Sequence, residues 1–171
     1  IGMFGGSYVG LTQWQAALAG APGLEAVAPH VTASDYHDGW TYQSGAFNYY
    51  FNYSWATGLT AETAGRRRLI DPADPLIAAN LERVDFLNTF IGNTPLDSDA
   101  VLCELGPWYR EWLEHPALDS WWDHLKVAGR FQELDVASFN SGGWFDVFLG
   151  GTIANHLGMS LEGKTERARS G

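Results

Sequence analysis

The sequence of 171 residues predicts an α/β fold, in which a parallel sheet with flanking helices is interrupted by a helical insertion. Two strand patterns lead to this prediction, one at the start of the chain and one near its end. The stretch between them is helical and aromatic and has no strand pattern of comparable quality. We therefore expect a first part of the core in residues 1–31, a helical cap in 32–126 and a second part of the core in 127–171.

A strand, a tight turn and a helix follow one another at the start of the chain. An apolar strand ends in glycines, Ser7 lies in the turn, and a helical pattern continues to about Ala19 and stops at Gly20. This order is typical of a nucleophile elbow, which presents a serine hydroxyl at the edge of a sheet. The N–H groups and positive dipole end of the helix would face a developing oxyanion. A plain turn with an exposed serine is the alternative, since Gly-Ser clusters usually mark turns.

Residues 24–31 are mostly apolar and predict a short strand buried in a parallel sheet. Together with the elbow and its helix, this strand would complete one right-handed βαβ unit. Caps and apolar spacing predict three helices in the insertion, at residues 74–91, at 108–114 and from Asp119 onwards. The first begins at an Asp-Pro pair and would be ended by residues 92–95.

The strand pattern returns at residues 135–141 and breaks at two glycines. Asp146 follows in this Gly-rich loop, before a helix expected to run to about His156. Active-site groups of open α/β sheets gather beyond the carboxyl ends of the strands. We therefore expect Asp146 to lie at the same edge of the sheet as Ser7.

Ser7 and Asp146 fit the first two members of a triad in the chain order Ser, Asp, His. A serine hydroxyl needs an imidazole base, and the imidazole needs a carboxylate to orient it. Only His156 follows Asp146, and it lies inside a predicted helix, so we interpret it as a helix-surface or packing residue and expect the base after Gly171. Structural roles are the default for the histidines that precede Asp146, namely His30, His37, His115 and His124.

Charge and composition exclude several classes of partner. The net charge of −10 argues against nucleic acid and anionic membranes, because both would repel the chain. No apolar run approaches membrane-spanning length. Cys103 is the single cysteine and cannot form an internal disulfide, and no residues have metal-ligand spacing, so we predict no metal and no cofactor.

The two ends of the chain suggest a longer protein. Ile1 is not a start methionine, and earlier strands of the same sheet would lie upstream of it. Residues 163–171 read as a polar loop that leads onward. We therefore expect an internal fragment of a larger enzyme. The single cysteine and the lack of a visible signal favour the cytoplasm, but the missing upstream segment leaves the compartment open.

Three motifs resemble the CocE/NonD family, the group of cocaine esterase-like and Xaa-Pro dipeptidyl-peptidase-like α/β-hydrolases. They are Gly5-Gly6-Ser7-Tyr8-Val9-Gly10 with residues 12–17, Glu114-His115-Pro116 with Asp119 and Trp122, and Gly142-Gly143-Trp144-Phe145-Asp146. The resemblance spans nearly the whole chain. The tyrosine directly after the serine, with glycine three residues after the serine, is a fairly specific mark of the group.

The resemblance implies an α/β-hydrolase fold with a helical cap over the active site. Ser7 would be the nucleophile, Asp146 would orient the histidine, and the backbone N–H of Tyr8 would be one oxyanion donor. A tyrosine hydroxyl from an earlier segment would be the other donor, and a jelly-roll domain would follow the hydrolase core. A small ester or amide is the expected substrate, and unpaired sheet edges favour self-association of the isolated chain.

Three aromatic residues are candidates for lining the substrate pocket: Trp40, Trp55 and Phe148. Ordinary packing in the cap or core is the alternative for each of them. Recognition of a free α-ammonium group requires pocket carboxylates. Apolar residues 147–149 follow Asp146 and disfavour that specificity, although Asp35 and Asp38 could supply charge. Xaa-Pro dipeptidyl-peptidase or amino-ester acylase activity, and a non-catalytic domain that binds a ligand or partner, remain alternatives.

Overall fold

The computed structural model describes residues 1–86 and 99–171, without the side chains of residues 81–86. In chain order its elements are β1 (Gly2–Gly6), α1 (Tyr8–Leu18), β2 (Ala26–His30), β3 (Tyr42–Gln43), β4 (Ala46–Phe47), α2 (Tyr49–Ile70), α3 (Pro75–Phe86), α4 (Ala100–Leu105), α5 (Pro107–Glu114), two 3₁₀ segments (Ser120–Leu125 and Phe131–Glu133), β5 (Ala137–Ser138), α6 (Leu149–Glu162) and α7 (Glu166–Ser170). The predicted continuation of α3 to residue 91 and its end at residues 92–95 lie outside the described residues. No helix of the described chain is both long and apolar enough to cross a membrane.

The chain forms two compact units, residues 1–46 with 118–171 and residues 47–117. The second unit is helical and is inserted in the sequence of the first. Its bounds are narrower than the predicted cap of residues 32–126. That this unit covers an active site stays a prediction.

The flanks of the predicted cap belong to the first unit because they bind each other. Asp35 forms an antiparallel bridge with Lys126, and its carboxylate lies 3.4 Å from the Lys126 ammonium. The N–H of Val127 donates to the carbonyl of Ser34 at 3.0 Å. These contacts join the segment after β2 to the segment before β5, and neither could be recognised from local sequence.

The first unit contains a parallel sheet in the order β1-β2-β5. Helix α1 packs Trp14 and Ala17 onto Val27 of the central strand, within a core that also includes Phe131 and Met159. Parallel strands with crossing helices need apolar side chains on the covered face, which the sequence of β2 and α1 supplies. The predicted α/β class and parallel sheet are thus confirmed.

Strand β5 is shorter than the predicted strand over residues 135–141. Pro29 of β2 lies beside this segment and has no N–H, so one bond of the parallel ladder cannot form. Two further bonds continue the pairing, from Phe139 N to Val27 O at 3.0 Å and from Ser141 N to Pro29 O at 3.2 Å. The backbone direction predicted for this segment is therefore kept as far as Ser141.

The C-terminal segment 163–171 contains a short helix, so its prediction as a polar loop was wrong. The Thr165 hydroxyl caps α7 by accepting from Ala168 N at 3.3 Å and donates to Asp135 at 2.6 Å. Arg167 forms ion pairs with Glu25 and Asp135. Local sequence did not reveal this helix because its partners, Glu25 before β2 and Asp135 before β5, are distant in the chain.

The second unit contains α2, α3, α4 and α5. The predicted helix start at Asp74 is confirmed, since its carboxylate accepts from Leu76 N at 2.9 Å. Asp99 caps α4 in the same way, accepting from Leu102 N at 2.9 Å, and also accepts from Tyr53 at 2.7 Å. The helical character of this stretch was predicted, whereas the β3–β4 hairpin was missed because each of its strands has only two residues.

Candidate active site

Ser7 lies in the turn between β1 and α1 with φ 59° and ψ −133°. This region of backbone space is adopted almost only by glycine, and other residues hold it when the surrounding structure enforces it. Ser7 N donates to His30 O at 2.9 Å, and Ser7 O accepts from Gly10 N at 2.8 Å. The strand-to-helix turn is therefore strained at its serine, and bonds to β2 and α1 hold it.

Gln13 is a buried residue that sequence reasoning did not single out. Its Nε2 donates to Gly5 O at 3.0 Å and to Val9 O at 3.2 Å, and its Oε1 accepts from Ala28 N at 3.0 Å. Gly5 and Val9 lie two residues before and two residues after Ser7. The Gln13 carboxamide therefore spans the turn and ties it to β2. A polar residue on the core-facing side of α1 was the signal available in the sequence.

Thr32 is a second residue that sequence reasoning missed. It is buried, and its hydroxyl donates to Ser7 O at 2.7 Å. The Thr32 hydroxyl oxygen also lies 2.9 Å from the hydroxyl of Tyr36. Thr32 is two residues beyond β2, at the carboxyl edge of the sheet, and this position was the only sequence signal for it.

Tyr8 is the first residue of α1 and follows the strained serine directly. Its side chain is half exposed, whereas its N–H belongs to the first turn of the helix. The four N–H groups at a helix start have no partner within the helix, and they carry the positive end of its dipole. The oxyanion role predicted for Tyr8 N–H is compatible with this position and stays a prediction.

Asp146 lies in the loop between β5 and α6 and is partly buried. Its N–H donates to Gly143 O at 3.1 Å, and one oxygen of its carboxylate accepts from Phe148 N at 2.7 Å. No described residue donates to the second carboxylate oxygen. Backbone hydrogen bonds within the loop thus hold the Asp146 carboxylate in place and leave one of its oxygens for another donor.

Ser7 and Asp146 lie at the same edge of the sheet. Ser7 follows the carboxyl end of β1 and Asp146 follows that of β5, and these strands run parallel on either side of β2. His30 lies at the end of β2. Its carbonyl accepts from Ser7 N, and the Nδ1 of its imidazole lies 2.9 Å from Ser141 Oγ. The end of β2 therefore lies between the turn that carries the serine and the loop that carries the aspartate.

The histidines of the described chain do not complete a triad by hydrogen bonds. None of them bonds to the side chain of Ser7 or Asp146. His30 contacts Ser141, and His156 is exposed on α6, where a helix-surface residue was predicted. Within the described residues no group of three or more His, Cys, Asp or Glu side chains could hold a metal ion.

Two of the three predicted pocket residues are brought together. The rings of Trp40 and Phe148 stack with 4.3 Å between their centroids. The ring of Tyr36 also stacks on Trp40, at 4.4 Å. Trp40 is 1% exposed and Phe148 is 5% exposed. Trp40 lies in the first unit, not in the helical second unit, and its contacts are those of a core residue. A role in substrate binding stays a prediction for both residues.

Trp55 lies in the second unit and belongs to a separate aromatic group. Its ring lies 5.4 Å from that of Trp108 and 6.0 Å from that of Trp112. It also lines an open cavity of about 430 Å³ with Phe51 and Leu59 on the surface of α2. The described ring contacts of Trp55 are therefore with its own unit, and its role in a substrate pocket stays a prediction.

The two carboxylates that could recognise an ammonium group already have partners. Asp35 accepts from His37 N at 2.8 Å and pairs with Lys126. Asp38 accepts from Ser44 N at 3.0 Å. Both carboxylates thus stabilise the segment that follows β2, and Asp35 also binds this segment to Lys126.

The chain is similar in sequence to known proteins over nearly its whole length. The model of the X-Pro dipeptidyl-peptidase (S15) family matches residues 1–166. Cocaine esterase of Rhodococcus sp. (strain MB1 Bresler) is 33% identical over 168 residues, covering 93% of this chain and 28% of the relative. The chain therefore spans little more than a quarter of the length of this curated relative.

Proposed function

Because the chain belongs to the X-Pro dipeptidyl-peptidase (S15) family of α/β-hydrolases, we propose that the full-length protein is a serine hydrolase that cleaves carboxylic ester or amide bonds. The observation that carries this proposal is the strained backbone of Ser7 in the turn between β1 and α1. Strain of this kind persists at functional sites, where it points a nucleophile out of the sheet. The similarity to cocaine esterase, an enzyme named for an ester, supports the same class of reaction.

In the proposed reaction the Ser7 hydroxyl attacks the carbonyl carbon of the substrate and transfers its proton to an imidazole base. The tetrahedral intermediate then expels the alcohol or amine, which takes the proton from the imidazolium. Water attacks the resulting acyl-serine, and the base is regenerated with release of the carboxylic acid. Asp146 would orient the imidazole and stabilise its positive charge through the carboxylate oxygen that Phe148 N does not occupy.

The proposed base is a histidine outside the 171 residues, as the family resemblance implies. The N–H of Tyr8 would donate to the oxyanion of the tetrahedral intermediate. Its position at the start of α1 supports this role, since helix N-termini stabilise negative charge. Loss of one oxyanion donor lowers kcat by about 10²- to 10³-fold in a well-studied hydrolase.

Labelling of the full-length protein by a fluorophosphonate probe tests the proposal. The probe reacts with activated serines, so the wild-type protein should be labelled with a stoichiometry near one. The Ser7→Ala variant should not be labelled, whereas Ser160→Ala on α6 should react like the wild type. Labelling of Ser7→Ala at the wild-type level would remove Ser7 as the nucleophile. No labelling of the wild type would favour the non-catalytic binding domain instead.

We propose an apolar acyl ester or amide as the substrate, rather than one with a free α-amino group. The existing partners of Asp35, which include Lys126, and of Asp38 support this choice, as does the apolar sequence after Asp146. We expect a higher kcat/KM for p-nitrophenyl butyrate than for an aminoacyl ester or an Xaa-Pro p-nitroanilide. The opposite order would support the peptidase or amino-ester alternatives that the family description includes.

A further inference from the structure

The carbonyl of Ser7 and the N–H of Tyr8 belong to the same peptide group. A trans peptide is planar, and its C=O and N–H bonds point in opposite directions. Any contact that fixes the direction of the Ser7 carbonyl therefore fixes the direction of the Tyr8 N–H. If Tyr8 N–H is the oxyanion donor of the proposed function, residues that bind the Ser7 carbonyl determine its aim.

Thr32 binds this carbonyl from outside the helix. Its hydroxyl lies 2.7 Å from Ser7 O, and its side chain is 2% exposed. The Thr32 side chain also fills the space beside Gly10, where an added Cβ would lie 2.8 Å from Thr32 Cβ and Cγ2. Packing against Gly10 and the hydrogen bond to Ser7 O thus place the hydroxyl in one position.

Tyr36 orients the Thr32 hydroxyl in turn. The single hydroxyl hydrogen of Thr32 is used for Ser7 O, so Tyr36 must donate across the 2.9 Å contact to Thr32 Oγ1. Burial raises the pKa of the Tyr36 phenol well above its ordinary value, which keeps the donor protonated. The polar chain Tyr36–Thr32–Ser7 is therefore complete, with each donor facing an acceptor.

The same tyrosine connects the turn to the aspartate loop. Tyr36 stacks on Trp40, and Trp40 stacks on Phe148. The N–H of Phe148 donates to the carboxylate of Asp146 at 2.7 Å. An unbroken series of contacts thus runs from the Ser7 carbonyl to the Asp146 carboxylate.

We propose that Thr32 is a positioning residue that, supported by Tyr36, holds the Ser7–Tyr8 peptide so that the Tyr8 N–H points at the developing oxyanion. This role rests on the proposed function of Ser7 and Tyr8. It predicts that the Thr32 hydroxyl stabilises the transition state more than the bound substrate. A purely structural threonine would instead affect the amount of folded protein and leave the chemistry per folded site unchanged.

The test compares Thr32→Val, which removes the hydroxyl and keeps the shape, with Thr32→Ser, which keeps the hydroxyl. In the full-length protein we expect Thr32→Val to lower kcat for an ester substrate by about tenfold to hundredfold, the size of effect that small misplacements of a catalytic group produce. KM should change by less than about twofold, and Thr32→Ser should recover most of the rate. A trifluoromethyl ketone, which forms an oxyanion adduct with serine, should bind Thr32→Val more weakly by the same factor as the loss in kcat/KM.

Thr60→Val is a matched control, because it removes another buried hydroxyl that donates to a carbonyl, that of Thr57 at 3.0 Å. This variant should keep the wild-type kcat per folded site. Stoichiometric fluorophosphonate labelling gives the number of folded sites by which the rate is divided. If Thr32→Val does not fold, Tyr36→Phe removes the supporting donor and should lower kcat in the same direction by a smaller factor.

A wild-type kcat for Thr32→Val, or a loss in Thr32→Ser as large as that in Thr32→Val, would overturn the positioning role. These outcomes are separable from failure of the proposed function. If Ser7→Ala is still labelled, the serine mechanism itself is wrong. If Ser7→Ala is unlabelled and Thr32→Val reacts at the wild-type rate, only the role of Thr32 is wrong.

Discussion

The backbone conformation of Ser7 lowers the free energy of unfolding relative to a glycine at the same position. At φ 59° and ψ −133° a Cβ crowds the neighbouring backbone, whereas glycine adopts this region without a steric penalty. We expect Ser7→Gly to have a larger free energy of unfolding than Ser7→Ala by about 1 kcal/mol, after the greater chain entropy of glycine is subtracted. Urea denaturation of the two variants measures the difference, and both lack the hydroxyl, so catalysis plays no part.

Ser160 in α6 is the control, because there the glycine variant should be less stable than the alanine variant. Within a regular helix alanine is favoured over glycine, so Ser160→Gly should be less stable than Ser160→Ala by about 1 kcal/mol. A Ser7→Gly variant that is less stable than Ser7→Ala would contradict strain at the turn. It would also remove the structural observation on which the nucleophile assignment depends.

Local sequence predicts some site residues and not others for a physical reason. Ser7 and Asp146 follow strands and lie among glycines, so their neighbours in the chain reveal them. Thr32 and Gln13 act through bonds to distant backbone: Thr32 reaches a carbonyl 25 residues earlier, and Gln13 reaches Ala28. Such partners are set by the register of β1 on β2, which local pattern does not specify.

At the level of elements, α7 is fixed to the amino-terminal ends of two strands by polar contacts. The Thr165 hydroxyl and the nearby Arg167 guanidinium hold the pKa of the Asp135 carboxyl below its usual range. A carboxyl with a lowered pKa in the folded state stabilises the fold above its unfolded value of about 4. That stabilisation is lost as the pH falls through the lower pKa of the folded state.

We therefore expect Asp135→Asn to lower the melting temperature at pH 7, with a difference from wild type that narrows below about pH 4. Thermal unfolding followed by circular dichroism from pH 7 to pH 3 measures this. Glu104→Gln, at an exposed position of α4, should show little difference at any pH. A difference for Asp135→Asn that stays constant down to pH 3 would show that the charge of Asp135 does not stabilise α7.

The elements that were predicted well are those whose signal is contained in their own residues. Helices α1 and α5 have apolar spacing with recognisable ends, and β2 is apolar and short. Strand β5 was overestimated because the missing N–H of Pro29 acts from a neighbouring strand. Helix α7 was missed because its stabilising contacts, to Glu25 and Asp135, are distant in the chain.

At the level of the whole molecule, the change in composition near residue 32 does not coincide with the boundary between the two units. Residues 32–46 are polar and aromatic like the helical insertion, yet they pack in the first unit. Tyr36 and Trp40 contact the site elements there, and Asp35 pairs with Lys126. Composition reports which residues can be buried, whereas the contacts that decide a boundary depend on which distant segment they meet.

The proposed mechanism makes a prediction about the 171-residue chain by itself. None of its described histidines makes a hydrogen bond to the side chain of Ser7 or Asp146, and the proposed base lies outside the chain. Loss of the triad base lowers kcat by roughly 10⁴- to 10⁶-fold in serine hydrolases. We therefore expect the isolated chain to hydrolyse p-nitrophenyl butyrate at least about 10⁴-fold more slowly than the full-length protein. Progress curves recorded at equal molar concentrations of the two proteins would measure this difference.

Turnover by the isolated chain at a rate near that of the full-length protein would instead place the base within it. His30, which lies at the edge of the sheet between Ser7 and Ser141, and His156 on α6 would then be tested by substitution with glutamine.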